Sequence, residues 1–122
     1  ETNKNMRVLR FAEVLLMNAE AANELGQSAN ALISLNKVRV RAGLAALTTT
    51  TQTELRTKIW NERRVELAFE HDRMFDLRRQ GRAGTVLRAL GIPYVDGKHD
   101  LFPIPQTQID LSGKALTQNP GY

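Results

Sequence analysis

Three glutamates spaced by four residues, Glu62, Glu66 and Glu70, are the side chains in this sequence best placed to do chemistry. They lie in the stretch NERRVELAFEHDRMFDLRRQG, where eleven of the eighteen residues from Glu62 to Arg79 are Asp, Glu, Arg or His. Residues four apart share one face of a helix, so the three carboxylates would lie side by side. Paired carboxylates can act as acid and base in glycoside hydrolysis, or arginines can hold them in an ion network.

A structural ion network is the interpretation we favour, because several arginines stand within one helical turn of these carboxylates. Arg binds a carboxylate through planar, two-pronged hydrogen bonds, and a buried charge has to be paired. We therefore predict no catalytic residue, and a carboxylate hydrolase is the less favoured alternative. The predicted network consists of Glu62, Arg63, Arg64, Glu66, Glu70, Arg73 and Asp76.

Metal and cofactor sites have no support in the sequence. Di-metal sites in helical bundles use Glu-x-x-His pairs, and the chain contains none. The absence of cysteine excludes disulfides and cysteine-ligated zinc. We predict neither a metal nor a cofactor.

The net charge of +4 does not by itself indicate a nucleic-acid partner. The 17 basic residues are interleaved with 13 acidic ones, whereas a nucleic-acid surface gathers its bases on one face. No apolar run approaches the roughly 20 residues of a membrane span, and the polar start ETNKNM does not resemble a signal peptide. Because the chain does not begin with Met and a helix is predicted almost at once, we expect a piece of a longer protein.

Two amphipathic helices are predicted in residues 6–43. Met6 to Leu25 carries an apolar stripe, and Ser28 can cap a second helix that runs to about Arg41. A connection this short makes the two helices antiparallel neighbours. Alanines on the facing stripes favour close packing of the tetratricopeptide type. The stripe residues are Val8, Leu9, Ala12, Leu15, Leu16, Ala19 and Ala22 in the first helix, and Ala31, Leu32, Leu35, Val38 and Ala42 in the second.

Further helices are predicted in residues 51–91. Thr51 and Glu54 have the spacing of a capping box for a third helix, which holds the charged stretch. A turn near His71–Asp72 separates this helix from the next. Two short helices follow and end at Gly81 and Gly91. The apolar residues assigned to the third helix are Leu55, Ile59, Trp60, Leu67 and Phe69.

Residues 92–122 have a different pattern. Asp96-Gly97 between two short apolar runs predicts a type I′ β-hairpin, and an irregular tail follows one possible helical turn. The predicted fold is mostly α, with tetratricopeptide-like antiparallel hairpins, then a short β-hairpin and a C-terminal tail. All of residues 1–122 are assigned to one helical segment.

Five blocks in one order resemble the C-terminal part of the SusD/RagB family of nutrient-binding outer-membrane lipoproteins. The resemblance runs from about Met6 to Tyr122, and the frequent Gly after Glu70 is replaced by His71. That replacement bears on the geometry of the turn, because Gly adopts positive φ more readily than other residues do. The blocks are RFAEVLLMNAEAANELG, LNKVRVRAGL, ERRVELAFEHDRMFDLRRQG, LFPIPQTQID and LTQNPGY.

The resemblance implies a non-catalytic protein that is lipid-anchored on the outer surface of Gram-negative bacteria. It implies capture of an oligosaccharide or other nutrient, and delivery to a SusC-like, TonB-dependent outer-membrane transporter. The fragment itself is expected to be soluble, and to act mainly as scaffold and partner surface. No ligand-binding residue of the family is carried over to this chain. A free-standing helical module that binds a protein or peptide is the alternative.

Overall fold

The computed structural model describes residues 8–49, 51–113 and 115–122, and these ranges are helical without any strand. The mostly α prediction is therefore confirmed for this part of the chain. None of the helices in these ranges has the length and apolar character needed to cross a membrane. The helices are α1 Phe11–Glu24, α2 Ser28–Arg41, α3 Gln52–Glu66, α4 Arg73–Arg79, α5 Ala83–Ala89 and α6 Gln106–Leu111.

The chain divides into two compact units, each with its own apolar core. The first ends at Arg73 and the second spans Met74–Tyr122. The core of the first unit is formed by Ala12, Leu16, Ala19, Ala22, Ala31, Leu35, Val38, Leu55 and Ile59. Full burial of one such leucine or isoleucine contributes about 1.5–3 kcal/mol, and the small alanines allow the helix axes to approach closely.

Helices α1 and α2, which form a hairpin, end with the same hydrogen-bond motif. The N–H of Gln27 donates to the carbonyl of Ala22, and the N–H of Gly26 to that of Asn23. This is the Schellman arrangement, which requires a left-handed residue after the helix, and Gly26 has a φ of 74°. Gly43 has the same role after α2, with a φ of 75°.

The predicted start of α1 is wrong. The helix begins at Phe11, while Val8 and Leu9 precede it as exposed, non-helical residues; Met6 lies outside the described residues. Arg10 is extended, with φ −121° and ψ 149°, and its side chain is bound by the end of α3. These contacts favour an extended N-cap where apolar periodicity alone predicted continued helix.

The direction of α3 follows from contacts at its two ends. The side chains of Asn23 and Gln52 each donate to the other's backbone carbonyl, at 3.0 and 2.7 Å, so the end of α1 lies beside the start of α3. At the opposite end of α3, Arg41 from the last turn of α2 binds Glu66. Thus α3 runs antiparallel to α1 and in the same direction as α2.

The connection between α2 and α3 runs back along α2. The Arg39 side chain donates to the carbonyl of Ala45. Farther along, the Asn36 side chain donates to the carbonyl of Leu47 at 2.9 Å and accepts from its N–H at 2.8 Å. One amide thus pairs with both backbone groups of Leu47, so the segment is held although it lacks regular secondary structure.

The ends of α3 depart from the sequence prediction. Thr51 is the N-cap but makes no side-chain capping bond, and Glu54 instead accepts from the Thr49 hydroxyl at 2.5 Å. The helix ends at Glu66, before two residues assigned to it: Leu67 is buried after the end, and Phe69 is fully exposed.

The second unit has a smaller core. Tyr94 is buried with Leu77 and Ala83, and Met74, Val86 and Leu87 pack against them. The backbone after α4 and after α5 forms the same Schellman hydrogen bond as the backbone after α1. The N–H of Arg82 donates to the carbonyl of Leu77, and the N–H of Ile92 donates to the carbonyl of Leu87.

The predicted β-hairpin at Asp96-Gly97 is wrong. The N–H groups of Lys98 and His99 both donate to the carbonyl of Val95, which makes a helical type of turn. Side chains take backbone donors that a strand ladder would use: Asp100 accepts from the Gly97 N–H, and His99 Nδ1 accepts from the Val95 N–H. Local side-chain hydrogen bonds of this kind compete with secondary structure.

The tail packs by side-chain hydrogen bonds to the backbone of residues 101–104. Gln118 pairs with both backbone groups of Ile104, each at 2.8 Å. Asn119 donates to the carbonyl of Phe102 at 2.6 Å, and the Tyr122 hydroxyl donates to that of Leu101 at 3.1 Å. An aperiodic sequence is in this way held in a fixed conformation.

The turn after α3 contains a residue in a strained backbone conformation, and substitution of this residue tests the strain. His71 has a φ of 69°, a region that costs L-residues about 1–2 kcal/mol. We expect His71→Gly to be more stable than His71→Ala by about 1 kcal/mol, since only Gly removes this cost, less its own entropy loss of about 0.5–1 kcal/mol. Urea unfolding followed by fluorescence measures this, because Trp60, the one tryptophan, lies in the same unit.

Ala21→Gly, at an exposed helical position in α1, is the matched control. There Gly is expected to cost about 1 kcal/mol. Equal stability of the two His71 variants would contradict the strain.

Candidate functional site

Arg10 joins the start of α1 to the end of α3. Its guanidinium donates to the Glu66 carboxylate at 2.8 Å and to the Glu66 backbone carbonyl at 2.8 Å, and it donates to Glu70 at 2.8 Å. Carbonyls in the last turn of a helix have no partner within the helix. Arg10 therefore caps α3 and neutralises the acids around its end.

Two arginines from the last turn of α2 bind the same face of α3. Arg41 donates to both oxygens of Glu66 at 2.6 Å, and Arg39 donates to Glu62 at 2.8 Å. The Glu62 and Glu66 side chains are only 9% and 10% exposed. Three segments thus meet at Glu62 and Glu66. The prediction that Glu70 lies on the same helix face is wrong, because α3 ends at Glu66.

The other predicted members of the network have different surroundings. Arg63 is buried, Arg64 is exposed and Arg73 is half-buried. Asp76 is buried in the second unit, where Arg79 binds it at 2.8 Å. The structural role of the whole set stays a prediction.

Sequence reasoning missed Arg10, Arg39 and Arg41. It sought partners one turn away on the same helix, whereas these arginines are 23 to 60 residues from the glutamates that they bind. The available signal was in α2, where Arg39 and Arg41 occupy the last turn. Cations are favoured there by the helix dipole.

The electrostatics of Glu66 follow from these contacts. Burial opposes its ionisation, but hydrogen bonds from Arg10 and Arg41 outweigh burial, and the net effect lowers the pKa of Glu66 from its ordinary value of 4.5. The pKa of Arg10 is raised, first by its hydrogen bond to Glu70 and then by that to Glu66. Both groups are thereby held in their charged forms.

This arrangement favours a structural role over acid–base chemistry. A general acid in glycoside hydrolysis needs a raised pKa, whereas that of Glu66 is lowered. Glu62, Glu66 and Glu70 each accept hydrogen bonds from arginine. The described residues also contain no group of His, Cys, Asp and Glu side chains suited to a metal ion.

A second set of contacts joins the opposite ends of α1 and α3. Arg56 binds Glu24 through two hydrogen bonds of 2.6 and 2.5 Å, and the hydrogen bond from Arg56 lowers the pKa of Glu24. One turn away, the indole N–H of Trp60 donates to Glu20 at 3.1 Å. Trp60 is half-buried, so its ring packs at this helix junction.

The comparisons with known proteins point to one family. The chain matches the SusD family over residues 1–122. It is 34% identical to the SusD-like protein P2 of Formosa agariphila across its full length, which corresponds to 27% of that relative. It is 36% identical to the SusD-like protein P25 of the same organism, over 97% of this chain and 25% of that one.

Solved structures give the same answer. The surface glycan-binding protein A from Bacteroides thetaiotaomicron superposes with a TM-score of 0.80 and 35% identity, over 97% of this chain and 25% of that one. A SusD-like protein from Bacteroides fragilis gives a TM-score of 0.79 and 32% identity, over 93% and 25%.

The fold and the arginine–glutamate contacts define a helical protein in which charged side chains join one helix to another. The chain belongs to the SusD family. SusD-like proteins are glycan-binding and non-catalytic, in agreement with the prediction that the chain is not an enzyme. The chain spans about a quarter of the length of the curated relatives named above.

Removal of one charge tests the junction of the three segments. Glu66→Gln is expected to lower the free energy of unfolding by about 2 kcal/mol, because hydrogen bonds to charged groups contribute about 1.5–3 kcal/mol each. Urea unfolding followed by Trp60 fluorescence measures the change. Glu54→Gln is the matched control on the same helix, expected to stay within about 0.5 kcal/mol. Equal effects of both changes would contradict the special role of Glu66.

Acid should weaken the first unit through Glu66 and Glu24. Both have pKa values lowered in the folded chain, so the unfolded chain binds protons more readily than the folded chain does. Their contribution is therefore complete above the ordinary value of 4.5 and is lost as the pH falls through the folded pKa values. Unfolding free energies measured from about pH 6 to pH 3 should fall in this way, and less steeply in Glu66→Gln. Identical profiles would contradict the assignment.

Proposed function

We propose that this chain is mainly the scaffold and partner surface of a cell-surface, SusD-like protein that captures oligosaccharides or other nutrients. The captured ligand passes to a SusC-like, TonB-dependent transporter in the outer membrane, where the protein is held by a lipid anchor. Most contacts with the ligand come from parts of the protein outside these 122 residues.

Family membership supports the binding function, and the extent of the match supports the scaffold role. The solved relative from Bacteroides thetaiotaomicron is a surface glycan-binding protein, and three quarters of its chain lie outside the superposed region. Sites for sugars need convergent polar groups as well as aromatic rings, and the larger portion has more room to supply them.

The observation that carries the proposal is the set of arginine–glutamate pairs that join the helices of the first unit. Glu62, Glu66 and Glu70 bind arginines from other segments, and Glu24 binds Arg56. Side chains engaged in this way fix the relative positions of three helices. They are therefore suited to supporting a binding platform, and are poorly available to a ligand.

A partner surface is supported by the face of α1 opposite the core. Val14 and Met17 are each 46% exposed, and Ala21 continues the same stripe at helical spacing. An amphipathic helix normally exposes polar residues there. Exposed apolar stripes commonly mark interaction surfaces.

A chimera tests the scaffold role. This chain would replace the matching quarter of the surface glycan-binding protein A from Bacteroides thetaiotaomicron, and calorimetry would compare binding of that protein's own glycan. We expect the chimera to keep the parent affinity within about fivefold, a difference of about 1 kcal/mol, because the replaced part mainly supports the site. The isolated 122-residue chain should bind that glycan at least about a hundredfold more weakly.

The same chimera carrying Glu66→Gln tests whether this chain supports the glycan site without contacting the glycan. It should be less stable to heat yet retain the same glycan specificity. Binding by the isolated chain at the affinity of the full protein would overturn the scaffold role, as would a change of specificity in the chimera.

A further inference from the structure

Two pairs of a cation and an aromatic ring lie on neighbouring parts of the second unit. The guanidinium of Arg78 is 5.5 Å from the centroid of the Phe102 ring, and the ammonium of Lys98 is 4.9 Å from that of Tyr122. The Tyr122 hydroxyl binds the carbonyl of Leu101, next to Phe102. None of these four side chains belongs to the ion pairs described above.

The Arg78 guanidinium has N–H donors that no described residue uses. Among the residues that the structure describes, its side chain makes the ring contact with Phe102 but no hydrogen bond or ion pair. A guanidinium carries five N–H donors in a planar fork that matches a carboxylate. The ring restricts the position of the fork, so less conformational entropy is lost when an anion binds.

Phe102 is exposed but held by its backbone. Its side chain is 71% exposed, so Arg78 covers only part of the ring. Asn119 donates to its carbonyl at 2.6 Å, and Gln118 pairs with Ile104 two residues later. A fixed, exposed aromatic ring can pack against the C–H groups of a sugar and exclude water there.

The neighbouring acids leave this surface positive. Asp96 is paired with Arg88 at 3.0 Å. Asp100 reduces the field of Arg78, but its oxygens already accept from the Tyr94 hydroxyl at 2.7 Å and from the Gly97 N–H. Lys98 adds a further positive charge beside Tyr122. An anionic ligand is therefore favoured over a cationic one.

We propose that Arg78 and Phe102 form an auxiliary contact for a uronic-acid unit of an oligosaccharide. The sugar carboxylate accepts hydrogen bonds from Arg78, and the apolar edge of the sugar ring packs on the open part of Phe102. A uronate is the ligand that uses both features, because a neutral sugar leaves the guanidinium unpaired and a small anion leaves the ring exposed. The inference rests on the proposed function and adds an acidic sugar class to it.

The test uses the 122-residue chain and trigalacturonate, followed by two-dimensional amide NMR. Chemical shifts are expected to move around Arg78, Leu101 and Phe102, with a dissociation constant on the order of 1 mM. The fully methyl-esterified trisaccharide has the same ring shape without charge and should bind at least about fivefold more weakly. Acetate, a carboxylate without a sugar ring, should also bind at least about fivefold more weakly.

Substitutions then assign the contact. Arg78→Gln and Phe102→Leu should each weaken trigalacturonate binding at least about fivefold, and Arg78→Lys should have an intermediate effect because it keeps the charge but loses the planar fork. Phe75→Leu, at a ring 65% exposed in the same unit, and Lys58→Gln, with the same loss of charge in the other unit, are matched controls. The amide spectrum of each variant reports whether it is folded.

The outcomes separate this contact from the proposed function. Equal binding of the methyl ester, equal binding of acetate, or no binding at millimolar concentration would overturn the uronate contact. So would equal effects of the test and control substitutions. None of these results would alter glycan capture by the chimera described above, which depends on the rest of the protein.

Discussion

The hydrogen bonds around the Glu66 carboxylate are the constraint on which the first unit depends. Arg10 reaches it from the residue before α1, and Arg41 from the end of α2, so one side chain fixes where three helices meet. Apolar burial of Leu16, Leu35 and their neighbours supplies the larger share of the driving force, but such burial is not directional. The charged contacts select one arrangement of the helices, because a shift of α3 by one turn would leave nearly buried charges without partners.

Local signals predicted the helices better than the way they pair. The end of α2 at Arg41 and the glycines after α1, α2, α4 and α5 follow from periodicity and C-terminal signals, which act over a few residues. The predicted cap of α2 is wrong, because Ser28 is the first helical residue and the N-cap Gln27 makes no side-chain capping bond. The partners of Glu62 and Glu66 could not be found in this way, since the sequence does not show that α2 and α3 run in the same direction. A tetratricopeptide-like hairpin predicts alternating directions, and the returning connection after α2 changes that order.

The second unit shows where pattern and structure diverge. Asp-Gly between apolar runs favours a β-hairpin only if the flanking backbone is free to form a ladder. Here Asp100 and His99 bind the backbone donors of Gly97 and Val95, and Gln118 occupies both backbone groups of Ile104. The imidazole of His99 and the carboxylate of Asp100 lie only four and three residues from their backbone partners, so these signals were present locally. The pairing of Gln118 with Ile104 spans 14 residues, and spacing does not encode it.

The connection held by Asn36 has one further consequence, which concerns length. Because α2 and α3 run in the same direction, the ten residues between Arg41 and Gln52 must return along a helix of 14 residues, or about 21 Å. Ten extended residues reach about 33 Å, so the connection has slack of about three to four residues. The pairing of Leu47 with Asn36 divides the connection into two short loops, residues 42–46 and residues 48–51. Each loop can vary in length independently while the helices keep their register.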